Sequence, residues 1–111
     1  MPDVAFSAPI LPGKLDAWRT AMARCQPDNP EYVESRRRLG VRREECWLQS
    51  SPGGDVVVVY LQADDLGTAF QGFATSSEPF DMWFRGAIQD VHGIDLSAPT
   101  PPPEQVVDYR G

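Results

Sequence analysis

The chain has 111 residues, enough for one domain with a hydrophobic core but too few for two domains of ordinary size. Its 16 acidic and 10 basic residues give a net charge of −6 at pH 7. Proteins bind nucleic acids and anionic membranes through basic patches, so this charge balance argues against both as partners.

The pattern of apolar residues and turn signals predicts alternating strands and helices. Residues 4–10 alternate in the manner of a strand, and residues 15–25 repeat apolar side chains at helical spacing. A proline-flanked break then precedes a second helix at 30–39, because proline lacks the amide donor that a helix interior needs. Later strands are predicted at 44–50, 55–61 and 105–110, and later helices at 66–73 and 79–92.

The segment 55–61 reads DVVVVYL, an uninterrupted apolar strand. A half-exposed strand alternates apolar and polar residues, whereas a continuous β-branched run indicates burial on both faces. The helices of so short a chain suffice to cover one face. We therefore expect a second copy of the chain to cover the other.

The turn at 51–54 predicts which strand residues share a face. With an even loop, Trp47 lies opposite Val58 and Glu45 lies opposite Tyr60. The face expected under the helices holds Cys46, Leu48, Val57, Val59 and Leu61, and the other face holds Glu45, Trp47, Gln49, Val56, Val58, Tyr60 and Gln62. On the first strand, only the small residues Ala5 and Ser7 stand beside Trp47 and Tyr60, which predicts a pocket there.

The order of elements is β-α-β-β-α-β, the arrangement of the ferredoxin-like α+β fold, here with split helices and an antiparallel sheet. We predict a single domain over residues 1–111 with a proline-rich, extended tail over 97–111. On the sequence alone, the tail strand can stay in its own protomer or cross to a partner. The amino terminus has no basic start followed by an apolar segment, which predicts a cytoplasmic protein.

Six segments of the chain resemble a known group of proteins. They are 34–40 (ESRRRLG), 46–49 (CWLQ), 58–65 (VVYLQADD), 79–84 (PFDMWF), 91–96 (VHGIDL) and 102–108 (PPEQVVD). Together with the order of elements, they resemble the dimeric α/β-barrel superfamily, and within it a family of small uncharacterised bacterial proteins. The resemblance implies a homodimer in which two ferredoxin-like protomers pack sheet against sheet, forming a dimeric α/β barrel.

Relatives in that superfamily include cofactor-free monooxygenases, haem-degrading enzymes and stress-associated proteins. The resemblance to the oxygenases implies an asparagine, a tryptophan and a histidine around an aromatic substrate. The chain offers Trp47, Trp83 and His92. Its only asparagine, Asn29, lies in the proline-flanked break, so the expected set is incomplete.

His92 is the candidate catalytic residue, because only histidine titrates near neutral pH without perturbation. The alternative is a structural residue favoured by the carboxyl-terminal end of its helix. Arg36 belongs to a group of five arginines within eight positions and is the one on the apolar side of its helix. It is expected to point inward and orient a ligand, the alternative being an ordinary surface pair with a nearby glutamate.

The candidate ligand-binding residues are Trp47, Tyr60, Trp83 and Arg36. For Trp47 and Tyr60 the alternative role is a dimer interface, and for Trp83 it is the hydrophobic core. The chain has one histidine, scattered carboxylates and two cysteines without metal-ligand spacing, so we predict no metal and no cofactor.

Three functions follow from these residues. The first is a homodimer that binds a small apolar or aromatic molecule between sheet and helices. The second is a non-enzymatic interaction or assembly protein that uses the sheet face and the tail. The third is a cofactor-free monooxygenase-like enzyme with His92 as its acid or base.

Overall fold

The structure is a computed structural model that describes residues 1–98 and 100–111. It is an α+β fold in which a three-stranded antiparallel sheet packs with helices. The strands are β1 (Asp3–Pro9), β2 (Val41–Ser51) and β3 (Gly54–Ala63). The helices are α1 (Leu15–Ala23), α2 (Pro30–Arg38), α3 (Leu66–Thr75) and α4 (Pro79–His92). None of these helices combines the length and apolar character needed to cross a bilayer.

Strand β3 lies in the middle of the sheet, whose order is β1-β3-β2. The β2–β3 hairpin pairs Trp47 with Val58 and Glu45 with Tyr60, which confirms the predicted register. On its other side β3 pairs with β1, where Ser7 is opposite Val58. Side chains on a strand alternate between the two faces, so Ser7, Val58 and Trp47 form one row across the same face.

The helices cover one face of the sheet. Val57 and Leu61 of β3 point into this layer and are almost completely buried, as predicted. One buried cluster consists of Leu39, Val41, Leu61, Ala63, Ala69 and Phe73, and a second consists of Ile10, Trp18, Val57 and Val91. Each large side chain in these clusters contributes about 1.5–3 kcal/mol by leaving water, which holds the helices on this face.

Local capping explains where the helices begin and end. The Asn29 side chain accepts a hydrogen bond from the Glu31 backbone N–H at 3.1 Å, and Asp65 caps the start of α3 in the same manner. Gly93 has a φ of 70°, the left-handed conformation that glycine adopts at low cost, and it ends α4. The bounds of α4 are those predicted, 79–92.

The opposite face of the sheet has no helix over it and is called the outer face below. It is formed by Ala5, Ser7, Pro9, Glu45, Trp47, Gln49, Val56, Val58 and Tyr60. Trp47 is 52% exposed there, and Val56 and Val58 are half-buried. Strand β3 therefore carries apolar side chains on both faces, as predicted.

The tail does not form the predicted fourth strand. Residues 105–110 are exposed and belong to neither a helix nor a strand. The outer edge of β1 consequently has no strand beside it among the residues that the structure describes, and the ferredoxin-like order is matched only in part. Prolines 101–103 explain the irregular path into this segment, because proline has no N–H for a strand ladder. Pro99, also part of the predicted tail, lies outside the described residues.

Candidate functional site

A cavity of about 960 Å³ lies between the helices and the helix-facing side of the sheet. Residues of all three strands form its floor, among them Phe6, Cys46 and Val59. Side chains of all four helices and the segment after α4 complete its wall. Small-molecule sites in proteins typically occupy about 300–1,000 Å³, so this cavity is the candidate binding site.

One wall of the cavity carries a buried ion pair. Arg36 Nε of α2 donates to Glu44 Oε1 of β2 at 2.9 Å, and the two side chains are only 7% and 13% exposed. The Tyr32 hydroxyl donates to the same carboxylate oxygen at 2.5 Å. All three side chains line the cavity and are called the Arg36 cluster below.

Aromatic rings surround the guanidinium of Arg36. Its Cζ lies 4.4 Å from the ring centre of Phe84, 4.8 Å from that of Phe73 and 4.9 Å from that of Tyr32. Burial lowers the pKa of Arg36, but the Glu44 carboxylate outweighs it, so the net shift is upward and the guanidinium stays charged. Burial, and then the Glu44 charge, raise the pKa of Tyr32, which keeps its hydroxyl protonated as a donor.

A second polar network ties α2 to α4. The buried Asp81 carboxylate accepts hydrogen bonds from the hydroxyls of Ser35 and Ser76 and from Arg38 Nη2, the last at 3.0 Å. Ser35 Oγ also accepts from Arg36 Nη1 at 3.1 Å, which connects this network to the Arg36 cluster. Burial by itself raises the pKa of Asp81. The hydrogen bonds from Ser35, Ser76 and Arg38 lower it by more than burial raises it, so the pKa lies below its ordinary value.

We expect Asp81→Asn to lower the free energy of unfolding by about 2–4 kcal/mol at pH 7, because three donors lose a charged acceptor. A carboxyl group whose pKa is depressed by folding stabilises the protein above its unfolded pKa of about 3.9, and this stabilisation is lost as the pH falls through the folded value. The difference in free energy of unfolding between the wild type and Asp81→Asn should therefore shrink below about pH 4. Urea unfolding of both proteins at pH 7 and at pH 3 measures this difference.

The matched control for that experiment is Asp90→Asn. Asp90 also lies on α4 and pairs with Lys14 at 2.8 Å, but their side chains are 53% and 39% exposed. Exposed pairs contribute under about 1 kcal/mol. Equal losses in the two variants would contradict a special role for the Asp81 network.

His92 lies at the end of α4, where it is buried and lines the cavity. Its Nδ1 is 2.7 Å from the carbonyl oxygen of Pro9. A carbonyl oxygen only accepts, so Nδ1 carries the proton and the lone pair of the neutral ring is on Nε2. Nε2 is therefore the ring nitrogen left for a molecule bound in the cavity that His92 lines. It is placed to accept a hydrogen bond or a proton from a bound molecule.

Two further residues, Trp18 and Cys25, line the cavity, although the sequence of residues 15–25 predicts only an apolar helix side for them. In the part of the chain that the structure describes, Trp18 Nε1 is the only enclosed side-chain nitrogen or oxygen without a hydrogen-bond partner. Such orphaned donors are rare in folded proteins. Burial raises the pKa of Cys25 to about 11, so its thiol is protonated at neutral pH. The sequence signal for Trp18 and Cys25 was their helical spacing, which places both on the side of the predicted helix that faces the sheet.

The structure separates the predicted site residues into two groups. Arg36 and His92 both line the cavity. Trp47 and Tyr60 lie on the outer face, on the other side of the sheet. The Tyr60 hydroxyl donates there to Asp3 Oδ2 at 2.8 Å. The four side chains therefore do not share one pocket.

Trp83 belongs to neither group. It is half-buried on α4, with its ring centre 3.9 Å from Arg24 Cζ and 5.2 Å from the ring centre of Phe80. It does not line the cavity. Its contacts are those of the alternative role predicted for it, packing with neighbouring side chains.

No protein-family model matches the chain, and no curated protein matches it significantly. Within residues 1–98 and 100–111, histidine, cysteine and carboxylate side chains form no group of three or more that could hold a metal ion.

Proposed function

We propose that this protein is a homodimer that binds a small, mostly apolar or aromatic molecule in the cavity between its sheet and its helices. The observation that carries the proposal is the cavity itself, about 960 Å³ within a chain of 111 residues. The cavity is partly open to solvent, so its apolar lining is in contact with water. A bound molecule would remove that apolar surface from water.

The polar groups of the cavity support a ligand with a polar end. The Arg36 cluster supplies a paired guanidinium and carboxylate on one wall, and His92 Nε2 supplies an acceptor. Phe6, Val59 and the neighbouring apolar side chains supply the remaining surface. This mixture of an apolar lining with few polar groups is typical of small-molecule binding sites. In a reaction at this site, His92 is the group placed to take a proton.

The outer face supports the dimer. Trp47, Val56 and Val58 form its apolar centre, and burial of each large apolar side chain is worth about 1.5–3 kcal/mol. Total domain stability is only about 5–15 kcal/mol, so an exposed surface of this kind usually marks a partner. An isologous pair of outer faces would bury each tryptophan against the other protomer.

The first experiment is native mass spectrometry of the purified protein, followed by calorimetric titration with 2-naphthol as the probe. Ile88 of α4 lines the cavity. We expect a dimer, and binding of 2-naphthol that Ile88→Trp weakens about tenfold or more, because the indole fills part of the cavity. Trp47→Ala is the control and should leave the affinity unchanged, since Trp47 lies on the other side of the sheet.

Unaltered affinity in Ile88→Trp, with 2-naphthol still bound by the wild type, would place the site elsewhere. Weaker binding in Trp47→Ala alone would move the site to the outer face, as predicted from the sequence for Trp47 and Tyr60. Circular dichroism of each variant checks that the fold is intact.

A non-enzymatic interaction protein is the second candidate, and the exposed outer face favours it. Trp47 and the valines of β3 offer a flat apolar patch that another protein could cover. Under this function 2-naphthol should not bind, and native mass spectrometry should show assemblies without any added small-molecule mass.

A further inference from the structure

The tail leaves the domain around the outer edge of β1. Prolines 101–103 still line the cavity on the helix side of the sheet. Glu104 and Gln105 share a small hollow with Ala5 and Tyr60, which belong to the outer face. Between these points the chain has therefore passed from the helix side of the sheet to the outer side.

Beyond Gln105 the tail projects away from the protomer. Val106, Val107 and Tyr109 are 82%, 76% and 86% exposed. Residues 100–111 take part in none of the backbone hydrogen bonds found among the described residues. An extended segment with free N–H and C=O groups and three large apolar side chains can pair with the edge of a sheet.

An exchanged arm would add to the contact that the outer face offers. A stable interface buries about 800 Å² of accessible surface on each partner. A six-residue arm reaches about 20 Å and buries surface both on itself and on the chain that receives it, and the exchange happens twice in a symmetric dimer.

We propose that residues 105–110 form an arm that crosses to a second copy of the chain and pairs with the outer edge of its β2. This inference rests on the proposed homodimer. The edge of β1 is already approached by the tail of its own protomer, whereas β2 presents an eleven-residue edge (Val41–Ser51) on the far side of the sheet. The arm would cover Trp47 of the receiving copy with its apolar side chains.

Sedimentation velocity over a range of concentrations tests the arm. In the variant Val106→Asp/Val107→Asp, two charges replace the apolar contacts, and we expect the dimer dissociation constant to rise about tenfold or more. The control is Met82→Asp, which adds a charge at an exposed apolar residue on α4, away from the outer face. It should leave the dissociation constant unchanged.

Hydrogen exchange of the wild-type protein identifies where the arm lies. We expect the amides of 105–110, and the β2 amides that point away from β3, to be protected at concentrations where the protein is dimeric and unprotected after dilution to monomer. Equal protection of 105–110 in the monomer would show an arm folded onto its own β1 and would overturn the inference. Unprotected arm amides in the dimer would overturn it as well.

The outcomes separate this inference from the proposed function. A dimer of unaltered strength in the arm variant removes the arm but leaves the sheet-to-sheet dimer and the cavity. A wild-type protein that is monomeric at every concentration removes both the dimer and the arm. Binding of 2-naphthol is measured independently and is unaffected by either result.

Discussion

Arg36→Met is expected to lower the free energy of unfolding by about 3–5 kcal/mol at pH 7, because removing one partner of a buried ion pair leaves the other charge uncompensated. Glu44 is 13% exposed and would keep only the Tyr32 hydroxyl as a partner within the Arg36 cluster. The loss also removes the guanidinium from among three aromatic rings. Urea unfolding followed by circular dichroism measures the change.

The chain supplies a matched control one residue away. Arg37 pairs with Glu34 at 3.0 Å on the surface of the same helix, with side-chain exposures of 71% and 53%. Arg37→Met should cost under about 1 kcal/mol, since exposed pairs are screened by water. A similar loss for both variants would show that burial of the Arg36 pair has no energetic consequence.

A double variant isolates the charge left behind. Adding Glu44→Gln to Arg36→Met removes the uncompensated carboxylate, so we expect the double variant to be more stable than Arg36→Met alone. If the second substitution destabilises the protein further, Glu44 is solvated in the single variant and the argument from buried charge fails.

Val58→Asp is expected to convert the proposed dimer to monomers, or to insoluble protein, raising the dissociation constant about 100-fold or more. Val58 occupies the middle of the outer face, in the row between Ser7 and Trp47. A carboxylate there would be buried against the partner sheet without a countercharge. Sedimentation equilibrium over a wide concentration range measures the effect.

Thr20→Asp is the control for this substitution. Thr20 is exposed on α1, and α1 lies on the face of the sheet opposite the outer face. It adds the same charge without touching the interface. A Val58→Asp protein that remains dimeric with the wild-type dissociation constant would contradict the position of the interface, whatever the control does.

Features of the fold that depend on neighbouring residues, such as turns, strand faces and helix ends, were predicted correctly. The even turn after Ser51 and the alternation of faces were sufficient to predict the pairing of Trp47 with Val58. Proline at the start of α4 and Gly93 after it mark both ends of that helix. The strand predicted at 105–110 is absent from the described protomer. Pairing of a strand depends on what lies beside it, and no local pattern of residues contains that information.

The candidate site was predictable only in parts. Helical spacing identified Arg36 as the inward arginine, and it is buried. The choice of Glu44 as its partner depends on how α2 is placed over β2, which sequence spacing does not determine. The grouping of Trp47 and Tyr60 with Arg36 is not what the structure shows, since strand alternation puts the two aromatics on the face away from α2. The size of the cavity depends on distances between layers and had no signal in the sequence.

The three consecutive arginines of α2 have three different environments. Arg36 points to the sheet and Glu44, Arg37 points to solvent, and Arg38 reaches Asp81 on α4. Adjacent helix positions differ by about 100° around the axis, so the three arginines span about 200°, a little over half a turn. The three sites should therefore tolerate lysine unequally, least at Arg36, where a planar guanidinium fits between the rings. The relative tolerance of the three positions to lysine therefore indicates how α2 is rotated about its own axis.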